Sequence, residues 1–124
     1  MIAVIFEVEP AEGQLDAYLD HAARLRAELE TMPGFLSVER FRSLTNPAKL
    51  LSLSFWEDEE AVRRWRNHAA HRAAQRAGRD GVFAGYRLRV AAVLRDYGPA
   101  ERREQAPADS NAAHAVPNAP ERSP

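Results

Sequence analysis

The sequence predicts an α+β fold with the element order β-α-β-β-α-β, a ferredoxin-like arrangement of four antiparallel strands with two helices on one face. Three observations support this prediction. Four stretches alternate apolar and polar residues with a period of two, which is typical of strands. Two other stretches repeat apolar residues at intervals of three and four, which is typical of amphipathic helices. Turn residues separate the six stretches in that order.

The first strand and the first helix occupy the N-terminal part of the chain. In residues 2–8 every second side chain is apolar, and we expect this row to be buried: Ile2, Val4, Phe6 and Val8. From about Glu12 to Met32 the apolar residues recur at helical spacing, and Pro33-Gly34 ends the run.

A hairpin and a second helix follow. Residues 34–44 (GFLSVERFRSL) alternate, residues 45–49 (TNPAK) supply a turn, and residues 50–56 (LLSLSFW) continue as a strand with little charge. The acidic cluster from Glu57 to Glu60 complements the positive end of a helix dipole, so we expect the second helix from about Asp58 to Ala77.

The last strand is predicted in residues 86–97 (YRLRVAAVLRDY), after a loop that contains glycine. We assign residues 1–97 to one domain. Residues 98–124 are rich in proline, alanine and polar residues and have little apolar surface to offset the entropy of ordering. The sequence therefore predicts a disordered C-terminal tail.

The composition bounds the function. The chain has 45% hydrophobic and 28% charged residues, a formal net charge of -1 and no cysteine. This excludes disulfides, thiolate chemistry and zinc sites built on cysteine, and it provides no overall positive field for nucleic acid. Without an apolar run long enough for a membrane or a signal-like start, we expect a cytoplasmic protein with no membrane contact.

Both faces of the predicted sheet are apolar. Ala3 and Ile5 lie opposite the main row of the first strand, and the third strand has apolar residues on both sides, Leu51, Leu53 and Phe55 on one and Leu50 and Trp56 on the other. Because both helices cover one face, the other face requires a second cover. We expect a homodimer formed through this sheet face.

Three stretches carry a resemblance to a known family: PGFLSVERFRS (33–43), SFWEDEEAVRRW (54–65) and HRAAQRAGRDGVFAGYRLRVAAVLRDYG (71–98). With them, residues 1–97 resemble the antibiotic biosynthesis monooxygenase superfamily. The resemblance implies a dimeric α/β barrel. Some members oxidise aromatic phenols to quinones without flavin, metal or haem, others bind and degrade haem, and many have no known reaction.

The resemblance carries over only part of the quinone-forming pocket. Trp56 occupies the place of a family pocket tryptophan, and Arg76 lies near a family arginine. Ser52 stands where those members have asparagine, and Val62 where they have tyrosine.

The resemblance to the haem-degrading members is also partial. It is carried by Trp65, but Gln75 stands at the position of their histidine ligand and Glu7 on or near that of their first-strand asparagine. The resemblance therefore disfavours haem, and we expect no cofactor.

The chemistry-bearing residues concentrate on the second predicted helix. On one continuous helix, Arg64, His68, His71 and Gln75 form a polar stripe beside Trp65. A neutral imidazole with an ordinary pKa near 6.5 can take a proton from a phenol and return it, which makes His71 the candidate base.

The remaining candidate residues are selected for their positive charge or for the large area of their aromatic side chains. Arg72 and Arg76 could stabilise a phenolate, and His68 could contact the substrate. Trp56 and Trp65 would form walls, although both also suit a core. His68 and His71 have no carboxylate on the same stripe, so we expect no metal site.

We predict catalytic roles for His71 and Arg76, and substrate contacts for Trp56, Trp65, His68 and Arg72. The predicted function is a cofactor-independent monooxygenase that oxidises an electron-rich aromatic molecule or a quinol with O2. Two alternatives stay open: a non-enzymatic small-molecule-binding or stress-associated protein of the same fold, and a haem-handling protein. Fold analogy alone does not choose among them.

Overall fold

The computed structural model describes residues 1–68, 71–73, 76 and 81–114. The chain divides into two compact units, Met1–Ala92 and Val93–Pro124. The first unit contains the whole sheet.

The sheet of the first unit has four antiparallel strands in the order β2-β3-β1-β4. Two helices, α1 and α2, join the strands in the predicted β-α-β-β-α-β order, which is confirmed. The bounds are β1 Ile2–Pro10, α1 Leu15–Leu29, β2 Phe35–Arg42, β3 Leu50–Trp56, α2 Glu59–Arg66 and β4 Phe83–Ala92.

Helix α2 is shorter than the sequence predicts. It begins after Asp58, whose Oδ1 accepts a hydrogen bond from the Ala61 backbone N–H at 2.9 Å. It ends at Arg66, because Asn67 turns its side-chain amide back to the Arg63 carbonyl at 2.9 Å and caps the last turn.

The prediction of one continuous helix from about Asp58 to Ala77 is therefore wrong at Asn67 and His68, where the helix is interrupted. Residues 71–73 and 76 are helical again, whereas residues 69–70, 74–75 and 77–80, which include Gln75 and the predicted end at Ala77, lie outside the described residues.

Strand β4 is shifted towards the N-terminus relative to residues 86–97. It begins at Phe83, opposite Pro10, and ends at Ala92, opposite Ile2. The strand follows the length of its partner β1, because a strand needs a paired neighbour to satisfy its backbone groups. The alternation of residues 93–97 therefore does not continue the sheet.

The inward face of the sheet, which carries the helices, contains two buried clusters. The first consists of Leu29, Trp56, Ala61 and Trp65, and the second of Val8, Tyr18 and Leu50. The first cluster is closed by an unusually tight contact at Gly34. This residue has φ +84°, and a Cβ placed there would lie 2.6 Å from the Ala61 Cβ. Gly34 therefore lets α2 approach the start of the hairpin.

The second unit contains a short 3₁₀ helix, Arg103–Gln105, and an α-helix, α3, Ala108–His114. Arg103 holds them together by donating to the Gly98 carbonyl and the Asn111 Oδ1, each at 3.1 Å. These two helical segments are not predicted from the sequence. The disorder predicted from residue 98 stays a prediction for residues 115–124, which lie outside the described residues.

No helix in the described parts of the chain has both the length and the apolar character needed to cross a membrane.

Candidate active site

The first unit encloses a cavity of about 330 Å³ between the inward face of the sheet and the helices. Residues of both buried clusters line it, including Trp56 and Trp65 from one and Tyr18 from the other. The cavity therefore borders both buried clusters. Its volume is in the range of a small-molecule site.

Two rows of paired residues form the floor of the cavity. In one row Arg40, Ser52, Phe6 and Leu88 lie side by side across the four strands, and in the other Val38, Ser54, Val4 and Val90 do so. Since residues two apart on a strand share a face, both rows point towards the helices. The β3 positions of both rows carry serine hydroxyls, whereas most of the other floor positions are apolar.

Two tryptophans close one end of the cavity. The Trp56 side chain is 1% exposed and its Nε1 donates to Ser54 Oγ at 3.0 Å. Trp65 is 8% exposed, and its ring centroid lies 6.5 Å from that of Trp56. Both residues belong to the buried core and also line the cavity, so a place in the core and a place in the cavity wall do not exclude each other.

His71 lines the cavity beside Trp65, with the ring centroids 5.1 Å apart. Burial, together with the smaller effects of the charges of Arg72, His68 and Arg66, lowers the pKa of this imidazole to about 4. The pKa of His71 is therefore well below the ordinary value near 6.5 that the sequence-based prediction used. At neutral pH the imidazole is uncharged and able to accept a proton.

The other candidates on this segment lie away from the cavity lining. His68 stacks on Trp65 at 5.5 Å between centroids, and its Nε2 lies 3.7 Å from a carboxylate oxygen of Glu28. Arg72 is exposed and donates to Asn67 Oδ1, and Arg76 is exposed. The expectation that Arg72 and Arg76 flank the pocket depended on one continuous helix, and the end of α2 at Arg66 removes that geometry.

Three further residues that line the cavity were not predicted from the sequence as site residues. Arg40, Tyr86 and Arg26 line it from β2, β4 and α1. A signal for Arg40 was available, because it follows Val38 in the inward row of its strand, where a charged residue is unusual. Tyr86 was assigned to a strand but not to a pocket, since alternation does not show which apolar row stays uncovered.

Among the described residues, no group of three or more His, Asp or Glu side chains is arranged to hold a metal ion.

The comparison with family models agrees with this architecture. Residues 1–77 match the model of the antibiotic biosynthesis monooxygenase family. The chain belongs to this family. The resemblance inferred from the three sequence stretches is thereby confirmed.

Two curated proteins are similar to the chain over 93 residues. One is the jasmonate monooxygenase ABM of Pyricularia oryzae, 50% identical, with 75% of this chain and 43% of that protein covered. The matched region is therefore less than half of that relative's length. The other is the uncharacterised protein YqjZ of Bacillus subtilis, 34% identical, with 75% and 79% of the two chains covered.

Solved structures share the fold at low identity. Rv0793 from Mycobacterium tuberculosis has a TM-score of 0.71 at 14% identity, and the match covers 78% of this chain and 98% of that one. A variant of SnoaB, a cofactor-independent oxygenase from Streptomyces nogalater, has a TM-score of 0.67 at 15% identity and covers 77% and 94%. At these identities the likeness concerns the fold.

Proposed function

We propose that the first unit is a monooxygenase domain that binds a small, largely apolar organic molecule in its cavity and oxidises it with O2 without a resident cofactor. The observation that carries this proposal is the aromatic-lined cavity of about 330 Å³ with the uncharged imidazole of His71 at its wall. Family membership supports the reaction type.

In this proposal His71 removes a proton from the substrate. A base with a pKa of about 4 takes a proton from a weaker acid only where the anion formed is stabilised beside it. This condition favours a substrate whose anion is conjugated, such as an electron-rich phenol, a quinol or an activated methylene group. The proton returns from the imidazolium to the departing oxygen, because burial disfavours the charged ring.

The electron balance selects the reaction further. When a methylene group becomes a carbonyl group, a phenol becomes a quinone or a quinol becomes a hydroxyquinone, the substrate gains one oxygen atom, loses two hydrogens and gives up four electrons, which reduce both atoms of O2. One oxygen atom is retained in the product and the other leaves as water, so no external reductant is required. The substrate anion passes its electrons to O2, and the cavity contributes binding and exclusion of water.

A second candidate substrate is a carboxylic acid related to jasmonate, which is favoured by the relative that is 50% identical over 93 residues and is named a jasmonate monooxygenase. Hydroxylation of a single C–H bond supplies only two of the four electrons that O2 accepts. Such a reaction therefore needs an external two-electron donor, for example reduced nicotinamide. This requirement separates the two candidates experimentally.

We further propose that the outward face of the sheet, opposite the helices, pairs with a second copy of the chain. Ile5, Leu53 and Phe55 lie on this face and are half-buried in the single chain, and Phe41 is 43% exposed there. A C₂ dimer would cover the same surface on both copies. Light scattering should show a dimer for the natural chain and a monomer for Leu53→Glu; a natural chain that is monomeric at micromolar concentration would reject the dimer.

The activity is tested by oxygen uptake with purified protein in the presence of a chelator. Anthrone, a substituted hydroquinone and jasmonate serve as substrates, each with and without NADPH, and ¹⁸O2 labels the product. We expect one labelled oxygen atom per product without NADPH for anthrone or the hydroquinone. Uptake that depends on NADPH and on jasmonate would favour the second candidate.

Variants locate the reaction in the cavity. His71→Ala should abolish turnover and leave the circular dichroism spectrum unchanged. Arg72→Ala and Arg76→Ala should retain most of the activity, because both side chains are exposed. Turnover of His71→Ala at the natural rate would remove this residue from the mechanism. Tight ligand binding without oxygen uptake would favour a binding protein, and a Soret shift with stoichiometric haem would revive haem handling.

A further inference from the structure

The charges around the cavity are of one sign. Three arginines line it, Arg26 from α1, Arg40 from β2 and Arg66 from the end of α2, and no Asp or Glu is among the described residues that line it. In a site of low dielectric this distribution favours an anionic ligand. The lining is otherwise largely apolar, so it favours a ligand whose remaining part is uncharged.

The three arginines differ in their partners. Arg26 is exposed, and its Nε donates to Glu30 Oε1 at 3.1 Å. Arg66 is exposed. Arg40 is half-buried, and its Nε is buried without a hydrogen-bond partner in the part of the chain that the structure describes.

A buried guanidinium nitrogen without an acceptor destabilises the unliganded protein by about 1–3 kcal/mol or more, since it has lost its water without gaining a bond. Such a group is expected where a ligand supplies the acceptor. The residue types alone would not distinguish Arg40 from the other two arginines, but its burial does.

The neighbour of Arg40 in the sheet is polar as well. Arg40 pairs with Ser52 on β3, and both residues line the cavity. Directly opposed residues of antiparallel strands have Cβ atoms about 4.5–5.5 Å apart, close enough for one small group to contact both side chains. The next residues in this row, Phe6 and Leu88, are apolar.

We infer that the cavity takes its organic ligand through a carboxylate group held by Arg40 and Ser52, with the apolar part of the ligand extending along the floor towards β4. The planar fork of Nε and one terminal nitrogen of a guanidinium matches the two oxygens of a carboxylate. Arg40 is then the residue that fixes the orientation and the charge class of the substrate. This inference deepens the proposed function, since it concerns the same cavity.

Binding can be measured without turnover, because the chain has two tryptophans and both line the cavity. Their fluorescence is titrated with 4-phenylbutanoate and 4-cyclohexylbutanoate and with the methyl ester of each acid. We expect both acids to bind the natural protein at least about tenfold more tightly than their esters, which is the usual range for hydrogen bonds to a charged group.

Three variants test the assignment. Arg40→Met keeps an unbranched stem and removes the guanidinium group, and it should weaken the binding of the acids about tenfold or more, with little change for the esters. Arg40→Lys should give an intermediate loss, because an ammonium group lacks the fork. Arg42→Met is the matched control: Arg42 is two residues further along the same strand, does not line the cavity and donates to the Pro47 carbonyl at 2.5 Å. It should bind acids as the natural protein does.

Equal binding of acids and esters by the natural protein, binding of neither, or unchanged affinity of Arg40→Met for the acids would each overturn the inference. If Arg40→Met does not fold, as judged by circular dichroism, Arg40→Lys and the comparison of acid with ester decide. Carboxylate binding that depends on Arg40 without oxygen uptake would reject the monooxygenase and retain this site. Turnover of neutral substrates at equal rates in the natural protein and Arg40→Met would retain the monooxygenase and reject the carboxylate site.

Discussion

Two regions of the inward sheet face have similar apolar residues and different surroundings: the region around Trp56 and Trp65, called here the packed end, and the β4 edge, called the open end. At the end that carries the tryptophans, α1 and α2 cover the sheet, and Trp56 is 1% exposed. On the β4 side of the same face, Tyr86, Leu88 and Val90 are 64%, 54% and 48% exposed, although they also line the cavity. One end is a packed core, and the other is a wall that a ligand can cover.

The difference shows what apolar alternation means in this fold. The pattern fixes which side of a strand faces the helices, but it does not determine whether a helix reaches that point. A large apolar side chain that remains half-exposed beside a cavity gains its burial only when a ligand or another chain arrives. We therefore expect substitutions at the packed end to affect mainly stability and substitutions at the open end to affect mainly ligand binding.

The largest effect expected from this comparison is that of Trp56→Ala against Leu88→Ala. Removal of the buried indole should destabilise the protein by about 3–5 kcal/mol, because a large cavity forms in packed surroundings. Leu88→Ala should change stability by less than about 1 kcal/mol, since the side chain is already half-exposed. Urea unfolding followed by circular dichroism measures both.

Leu88→Ala should nevertheless weaken the binding of apolar ligands in the fluorescence titration. Equal losses of stability in the two variants would mean that the two ends of the face do not differ as described. Unchanged ligand affinity in Leu88→Ala would place the ligand away from β4.

The second effect concerns His71, which lies at the wall of the cavity beside Trp65. Its pKa is about 4 in the folded protein and about 6.5 in an exposed chain, so the unfolded state binds more protons between these values. Stability should therefore rise with pH from about 4 to 6.5 and then level off. The contribution of this single group amounts to about 3 kcal/mol over that interval.

The variant His71→Gln isolates this contribution. The difference in unfolding free energy between the natural protein and the variant should change between pH 4.5 and 7.5 and stay constant from pH 7.5 to 8.5. A difference that is independent of pH throughout would show that His71 is hydrated, with an ordinary pKa, and would remove the desolvated base from the proposed mechanism.

The third effect tests how closely α2 is held to the packed end. Gly13 and Gly34 both have positive φ, +78° and +84°, but only at Gly34 does an added Cβ meet another atom within 3 Å, the Ala61 Cβ. Gly13→Ala should cost about 1 kcal/mol through backbone strain alone. Gly34→Ala adds the displacement of α2 and should cost about 2–3 kcal/mol.

The two glycine variants are compared by thermal unfolding at neutral pH. A similar loss of stability in both would indicate that α2 shifts without resistance, and the packed end would then be less rigid than its buried tryptophans suggest.

The sequence predicted the order of the elements and much of the floor, because period-two rows such as Val4 and Phe6 depend only on local alternation. It did not predict the end of α2. Asn67 stops the helix by a side-chain hydrogen bond that competes with the helical pattern. Arg72 and Arg76 lie beyond this point and are exposed, and their predicted roles stay predictions.

The site itself was only half accessible from the sequence. Trp56, Trp65 and His71 were found, since aromatic and titratable residues stand out by type. Arg40 was not predicted: its place after Val38 in the inward row is a signal in the sequence, but its burial and its missing partner are seen only in the structure. That information depends on the pairing of β2 with β3 and on the helix opposite.

The smallest effect comes from the outward face and serves as the reference for the other predictions. The Glu7 carboxylate accepts hydrogen bonds from Lys49 Nζ at 3.3 Å and Arg89 Nη1 at 2.7 Å, and these bonds lower its pKa below the usual 4.5. Its contribution to stability is therefore present above pH 4.5 and is lost as the pH falls through the lowered value.

Glu7→Gln should reduce the melting temperature slightly at pH 7 and not at all well below pH 4.5. The difference at pH 7 should also shrink in 1 M salt, since the three groups are partly exposed and screened. This expectation holds for the single chain: a large loss that salt leaves unchanged would mean that the proposed dimer also covers Glu7, and the comparison of variants would then have to be made at protein concentrations where the dimer has dissociated.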